Sequence, residues 1–216
     1  MSALLRIKQR LLKEAKRRFE SYKDDGTTVA TLSPSPMGLI DGFIDQIGLD
    51  KSSIVVELGC GDARWMQAIS QRFKCACVLG IEIDEGRLLD GRNNSDINDC
   101  DYVTGDFFSC VNLRLATHII LYLSVEGNKR VYEKVLQECT SLSQGENDKV
   151  NSHETITLIA VGFQIGGLKA TSTYKASGLV AYKYTLGRSY GADGCVEMKH
   201  GYCTNNVDRR SLNTER

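Results

Sequence analysis

Proline and tryptophan are scarce in this chain: its 216 residues include two prolines and one tryptophan. Net charge is missing too, because 27 Lys and Arg balance 27 Asp and Glu. Such a chain has no global field to draw it onto nucleic acid or an anionic membrane. No apolar run approaches the roughly 18 residues that a membrane-spanning helix needs. The eight cysteines form no CxxC pair, and their closest spacing, Cys75-Ala76-Cys77, argues against a zinc ribbon. A mixed chain of this size needs no disulfide framework, so reduced thiols and a cytoplasmic location are expected. His118, His153 and His200 share no spacing that fits a metal site, and no metal is expected.

What is present reads as an α/β domain over residues 31–186, preceded by an N-terminal segment (1–30) and followed by a polar tail (187–216). In the first segment Leu4, Leu5, Ile7, Leu11, Leu12, Ala15 and Phe19 recur near helical period, with Lys and Arg between them. It lacks the continuous apolar core of a secretory signal. A helix packed on the domain, or beside the substrate entrance, is expected. Glu14, Glu20 and the excess of lysine over serine count against the alternative, a mitochondrial transit peptide.

Both prolines fall in "TLSPSP", which should run extended because proline disfavours helix in the residue before it. A helix is expected from Met37 to Ile47, then strands at 53–58, 75–83, 101–108, 117–123 and 155–163. Helices should follow the first strand (62–73), the second (from Glu85) and the fourth (126–139). A hairpin turning at Ser177-Gly178 closes the domain. Alternating strands and helices make a doubly wound, mostly parallel, seven-stranded Rossmann-like sheet, and the hairpin adds an antiparallel edge. Ligands of such sheets sit past the carboxyl ends of the strands.

The first strand ends in "VVELGCGDARW" (55–65). Gly59 and Gly61 between strand and helix fit a nucleotide-binding turn. The third fingerprint position holds Arg64, however, and Glu57 and Asp62 flank the turn. Two carboxylates there would repel a pyrophosphate. They suit a ligand that carries an ammonium and a sulfonium, which is S-adenosylmethionine. Its carboxylate can take Arg64 or the helix-start amides, and Glu57 its amine. Glu82, at the end of the second strand, can accept both ribose hydroxyls. Asp106 can accept from the adenine amino group and Phe107 can cover the ring. Glu82 as a solvated strand end and Asp106 as a helix N-cap are the plain structural alternatives. Pro36, in the stiff "SPSP" segment, is expected to cross over the methionine end of the cofactor.

In "ELGCGDAR", "GIEIDE", "GDFF" and "LYLSVEGN", taken in order, the chain resembles the class I, seven-β-strand S-adenosylmethionine-dependent methyltransferases. The "SPSP" segment and the strand-four pattern are most similar to the protein-lysine methyltransferases of mitochondrial adenine nucleotide translocase and the ATP synthase c-subunit. A weaker similarity extends to the non-SET histone-lysine methyltransferases. The resemblance implies S-adenosylmethionine as cofactor and S-adenosylhomocysteine as product, with Ile83 of "GIEID" joining the cofactor contacts. It implies a protein lysine as acceptor. Ala63 stands where that subfamily has glycine, a change a helix start tolerates, and Ser124-Val125 stand where it has Leu-Pro.

A lysine nucleophile must shed a proton, which an apolar channel favours. Tyr122 is expected to line that channel, with Ser124, Glu126 and Asn128 next to it; a buried core aromatic is the alternative for Tyr122. Capping of the following helix is the alternative for Glu126 and Asn128, and the favoured one for Asn128. No Asn-Pro-Pro-Tyr or Asp-Pro-Pro-Tyr follows strand four, so adenine and glutamine N-methylation lack their stacking motif. A small-molecule methyltransferase, or a protein that binds adenosylmethionine without catalysis, would share the cofactor residues.

Overall fold

The computed structural model describes residues 33–93, 99–140, 155–190 and 196–200, together with positions 6, 9–11 and 13 of an N-terminal helical segment. Its elements are α1 (Met37–Phe43) with a 3-10 extension (Ile44–Gln46), β1 (Ile54–Leu58), α2 (Arg64–Arg72), β2 (Cys77–Glu82) and α3 (Glu85–Asn93). There follow β3 (Asp101–Thr104), α4 (Phe107–Cys110), β4 (His118–Leu121), α5 (Val125–Thr140) and β5 (Thr155–Val161). The chain then forms β6 (Ser172–Ala176), β7 (Leu179–Tyr190) and β8 (Val196–His200).

The strands form one sheet in the order β3-β2-β1-β4-β5-β7-β6, with β8 paired to β7. The ladders among β1 to β5 are parallel, and those of β7 with β5, β6 and β8 are antiparallel. Strand order reverses between β1 and β4, so the crevice for a ligand opens beyond their carboxyl ends.

Every residue of β1 is buried, because helices cover both faces of the sheet. Ile54, Val56 and Leu58 pack into one layer with Leu11, Phe107, Val131 and Val135. Val55 packs into the other with Leu39, Phe43, Trp65, Met66 and Ile69. Each such side chain contributes roughly 1.5–3 kcal/mol of burial. The alternation sends Glu57 to the α2 side. The same period in β2, where Val78 joins the α2 layer, sends Glu82 there as well. Leu11 is 1 % exposed in the opposite layer, so the N-terminal helix is packed on the domain at that point.

Three expectations change. The third strand stops at Thr104 rather than 108, because Asp106 accepts the Phe108 N–H at 2.9 Å and turns the chain into α4. The boundary at residue 187 cuts through β7, which pairs Gly187 with both Thr155 and Lys199. An eighth strand therefore lies in the stretch read as tail; residues 201–216 lie outside the described residues. The hairpin does turn at Ser177-Gly178. Positive φ at both (52° and 79°) is what a two-residue turn matched to strand twist requires.

Candidate active site

The turn after β1 is held in a conformation that only a small set of residues accepts. Gly59 and Gly61 have φ of 72° and 52°, and Gly59 and Cys60 donate their N–H groups to the Ile81 carbonyl. A Cβ built on Gly61 would meet nothing within 4 Å, so this glycine borders open space. Ala63, at the N-cap of α2, also has positive φ (60°). The alanine is therefore held in a left-handed conformation, a costlier exchange for glycine than a helix start alone implies.

Glu57, on β1, faces the first turn of α2. The Met66 N–H hydrogen-bonds it, while Oε2, buried, has no partner. The helix N-terminus, where a pyrophosphate would bind in a dinucleotide fold, thus already faces a carboxyl group of the protein. Burial, then the charge of Asp62, pushes Glu57 well above the usual carboxylate range. Burial likewise pushes the neighbouring Cys60 thiol well up, so it is no ready nucleophile.

Asp62 pairs with Arg64, whose Nε donates to both its carboxylate oxygens at 2.9 and 3.1 Å. The guanidinium holds Asp62 below its ordinary value. The same Arg64 donates through Nη1 to the Ser35 carbonyl at 2.8 Å, and the Trp65 indole donates to Ser35 Oγ at 3.0 Å. Ser35, between the prolines, is thereby fixed to the first two residues of α2. Pro36 is extended (φ −62°, ψ 136°) and caps α1 by accepting from Leu39 and Ile40. The proline segment is thus held against the start of α2. Arg64 and Trp65 are the residues that hold it there, a role the sequence analysis did not assign. The available signals were the single tryptophan beside that arginine and the serine between prolines.

Glu82 is 8 % exposed and is no solvated strand end. Its Oε2 accepts the Gly61 N–H at 2.8 Å, and Oε1 accepts from Ile83 and Asp84 at 2.8 and 3.0 Å. A carboxylate has about four lone-pair sites. Glu82 thus braces the glycine turn and retains limited capacity for a ligand hydroxyl. Ile83 follows it, 53 % exposed on the rim.

Asp106 is the N-cap: Oδ1 accepts from Phe108 N, and Oδ2 from Ser109 Oγ at 3.1 Å. Phe107 is 8 % exposed in the layer opposite α2. Its placement is that of a core side chain, whereas Ile83 is open to a ligand.

At the end of β4, Tyr122 is half-buried over Gly162 at the end of β5; a Cβ on Gly162 would come within 2.8 Å of the Tyr122 ring. Ser124 caps α5: its Oγ accepts the Gly127 N–H at 3.0 Å. Glu126 is exposed in the first turn of that helix. Asn128 is not the cap. It is fully buried, and its Nδ2 donates to the Phe163 carbonyl at 2.9 Å, joining α5 to the loop after β5. Val125 (58 % exposed) and Phe163 (44 %) give the rim beyond β4 and β5 an apolar character. His118 is buried and hydrogen-bonded to Thr117, a structural role. Among the described residues, no group of three or more His, Cys, Asp or Glu could hold a metal ion.

No family model matches the chain. It is similar to a protein-lysine N-methyltransferase of Saccharolobus islandicus (strain REY15A), 27% identical over 125 residues, which cover 56% of this chain and 74% of that protein. Its fold matches an RNA methyltransferase from Salinibacter ruber in complex with S-adenosyl-L-homocysteine, with a TM-score of 0.61 and 19% identity, over 75% of this chain and 99% of the other. The fold is that of the class I S-adenosylmethionine-dependent methyltransferases.

Proposed function

We infer that this protein is an S-adenosylmethionine-dependent methyltransferase, and we propose that its acceptor is a lysine side chain of a protein. The observation that carries the cofactor is the partnerless buried Oε2 of Glu57 beside a glycine turn that opens onto free space. An acid in that position fits an ammonium and rejects a phosphate. Glu57 would hold the amino group and the α2 start the carboxylate. Glu82 would take a ribose hydroxyl, and Ile83 would lie on the adenine. When bound, S-adenosylmethionine supplies a methyl group activated by its sulfonium.

The residues of this chain then have positioning work. Tyr122, Val125 and Phe163 provide an apolar border beyond β4 and β5. Such a border disfavours an ammonium and so favours the neutral amine that can accept a methyl group. Ser35 and Pro36, fixed by Arg64 and Trp65, flank the methionine side of the crevice and limit water there.

Lysine as acceptor is supported by the relative from Saccharolobus islandicus and by the apolar rim. RNA is the competing acceptor. Against it stands the even balance of 27 basic and 27 acidic residues, since phosphate backbones are bound by basic surface. Burial of Leu11 favours the N-terminal helix as part of the domain over a removable leader, and with it a cytoplasmic enzyme.

The test is incubation of the protein with methyl-labelled S-adenosylmethionine and a cell extract. Label in a protein band, recovered as methyl-lysine after hydrolysis, is expected. Label in RNA or in small molecules would replace the acceptor, and no transfer at all would remove the enzymatic reading.

A further inference from the structure

Glu57 is the one carboxyl group of the site whose buried oxygen lacks a partner among the described residues. Asp62 is paired with Arg64, and Glu82 accepts from three backbone N–H groups. We propose that Glu57 stores a proton in the free protein and releases it when the ammonium of S-adenosylmethionine or S-adenosylhomocysteine arrives, so that ligand binding is coupled to proton release.

This rests on the cofactor reading above. Geometry carries it: Glu57 is 6 % exposed on the central strand. The charged and titratable groups around it are Asp62, Arg64 and Cys60 of the turn and α2, Glu82 of β2, and Cys100 before β3. The two carboxylates oppose a third negative charge. The one cation there among the described residues, Arg64, is engaged by Asp62, and both thiols stay protonated because burial raises them. Burial and these neighbours accordingly raise Glu57, and the Met66 N–H offsets only part of that. The neutral acid is the form the free site prefers.

The ligand arrives with its amino group protonated, since an α-amino group titrates near pH 8. A carboxylate pairs with an ammonium much more strongly than a neutral carboxyl does, so the contact favours loss of the carboxyl proton. One proton leaves to buffer, the carboxylate and ammonium pair, and no other bond changes. Wherever the free site holds Glu57 neutral, affinity should therefore rise with pH, up to about tenfold per pH unit.

The experiment is calorimetric titration of the full chain with S-adenosylhomocysteine, at one pH near 6.5, in phosphate and in imidazole. These buffers differ in ionisation enthalpy, so the difference in heat counts protons. Net proton release, up to about one per site, is expected for the wild type, and close to none for Glu57→Gln. A second arm needs no variant: 5′-methylthioadenosine, which lacks the amino acid moiety, should bind without releasing a proton. Equal heats in both buffers for S-adenosylhomocysteine would overturn proton storage and leave the methyltransferase standing. Equal release with both ligands would move the proton to another group and overturn it too. Absence of S-adenosylhomocysteine binding would instead overturn the cofactor reading on which the inference depends.

Discussion

The Gly61 N–H donates to Glu82 Oε2 at 2.8 Å, tying the glycine turn after the first strand to the end of the second, 21 residues on. A single carboxylate thereby shapes the crevice as well as facing it. Glu82→Ala leaves the N–H groups of Gly61, Ile83 and Asp84 without their acceptor, at about 1–3 kcal/mol for each one that water cannot reach. We expect a lower midpoint in urea together with S-adenosylhomocysteine affinity reduced at least about tenfold, the latter worth about 1.4 kcal/mol. A variant with wild-type stability and affinity would mean that the brace is idle.

The tether between Ser35 and Trp65 spans 30 residues and joins the proline segment to α2. Ser35→Ala removes the acceptor of a buried indole N–H, so a destabilisation of about 1–3 kcal/mol is expected. Urea denaturation measures it. If Ser35→Ala costs much less in a Trp65→Phe background than in the wild type, the orphaned N–H is its cause. An equal cost in both backgrounds would assign the loss to packing.

Gly162 and Tyr122 are joined by contact rather than by hydrogen bonding. Gly162→Ala adds a Cβ within 2.8 Å of the Tyr122 ring at a backbone φ of 80°. Strain there should cost about 1–3 kcal/mol and displace the tyrosine. Transfer to protein should fall for this variant and for Tyr122→Ala, with cofactor affinity close to wild type, because Glu57 and Glu82 lie on other strands. Equal losses of binding and transfer would make Tyr122 scaffold. Unchanged transfer would take it out of the acceptor border.

Glu57 also sets a pH dependence of stability. Its carboxyl is raised in the folded state, chiefly by burial, so between the unfolded and folded values the native protein holds more protons than the unfolded chain. Its contribution is fully present below the unfolded value, near 4.5, and is lost as pH rises through the folded one. Glu57→Gln should remove that part of the decline, and the variant should gain on the wild type as pH rises. Parallel unfolding midpoints for the two proteins across pH 5 to 8 would show that the acid is not held neutral.

Much of this was readable from periodicity and turn chemistry. The apolar run of β1, interrupted only by Glu57, marked a strand covered on both faces, and Ser177-Gly178 marked a two-residue hairpin. That Glu57, Gly59, Gly61 and Glu82 come together was legible because strand ends gather at a switch point. Other features depend on contacts distant in sequence. "GDFF" reads equally as strand end or helix start until the Asp106 carboxylate is seen to accept the Phe108 N–H. Asn128 has a cap residue's composition and position, yet Ser124 takes the cap and Asn128 turns inward to the Phe163 carbonyl. The end of β7 was hidden because Gly187 looks like a breaker, whereas ladders to β5 and β8 hold it on both sides.

The most direct measurement of the central claim is isothermal titration of the protein with S-adenosylmethionine, alongside NADH. One-site binding of S-adenosylmethionine with a dissociation constant on the order of micromolar, and no heat from NADH, is the result expected of a crevice with Glu57 at its helix start. Binding of NADH with no response to S-adenosylmethionine would contradict it.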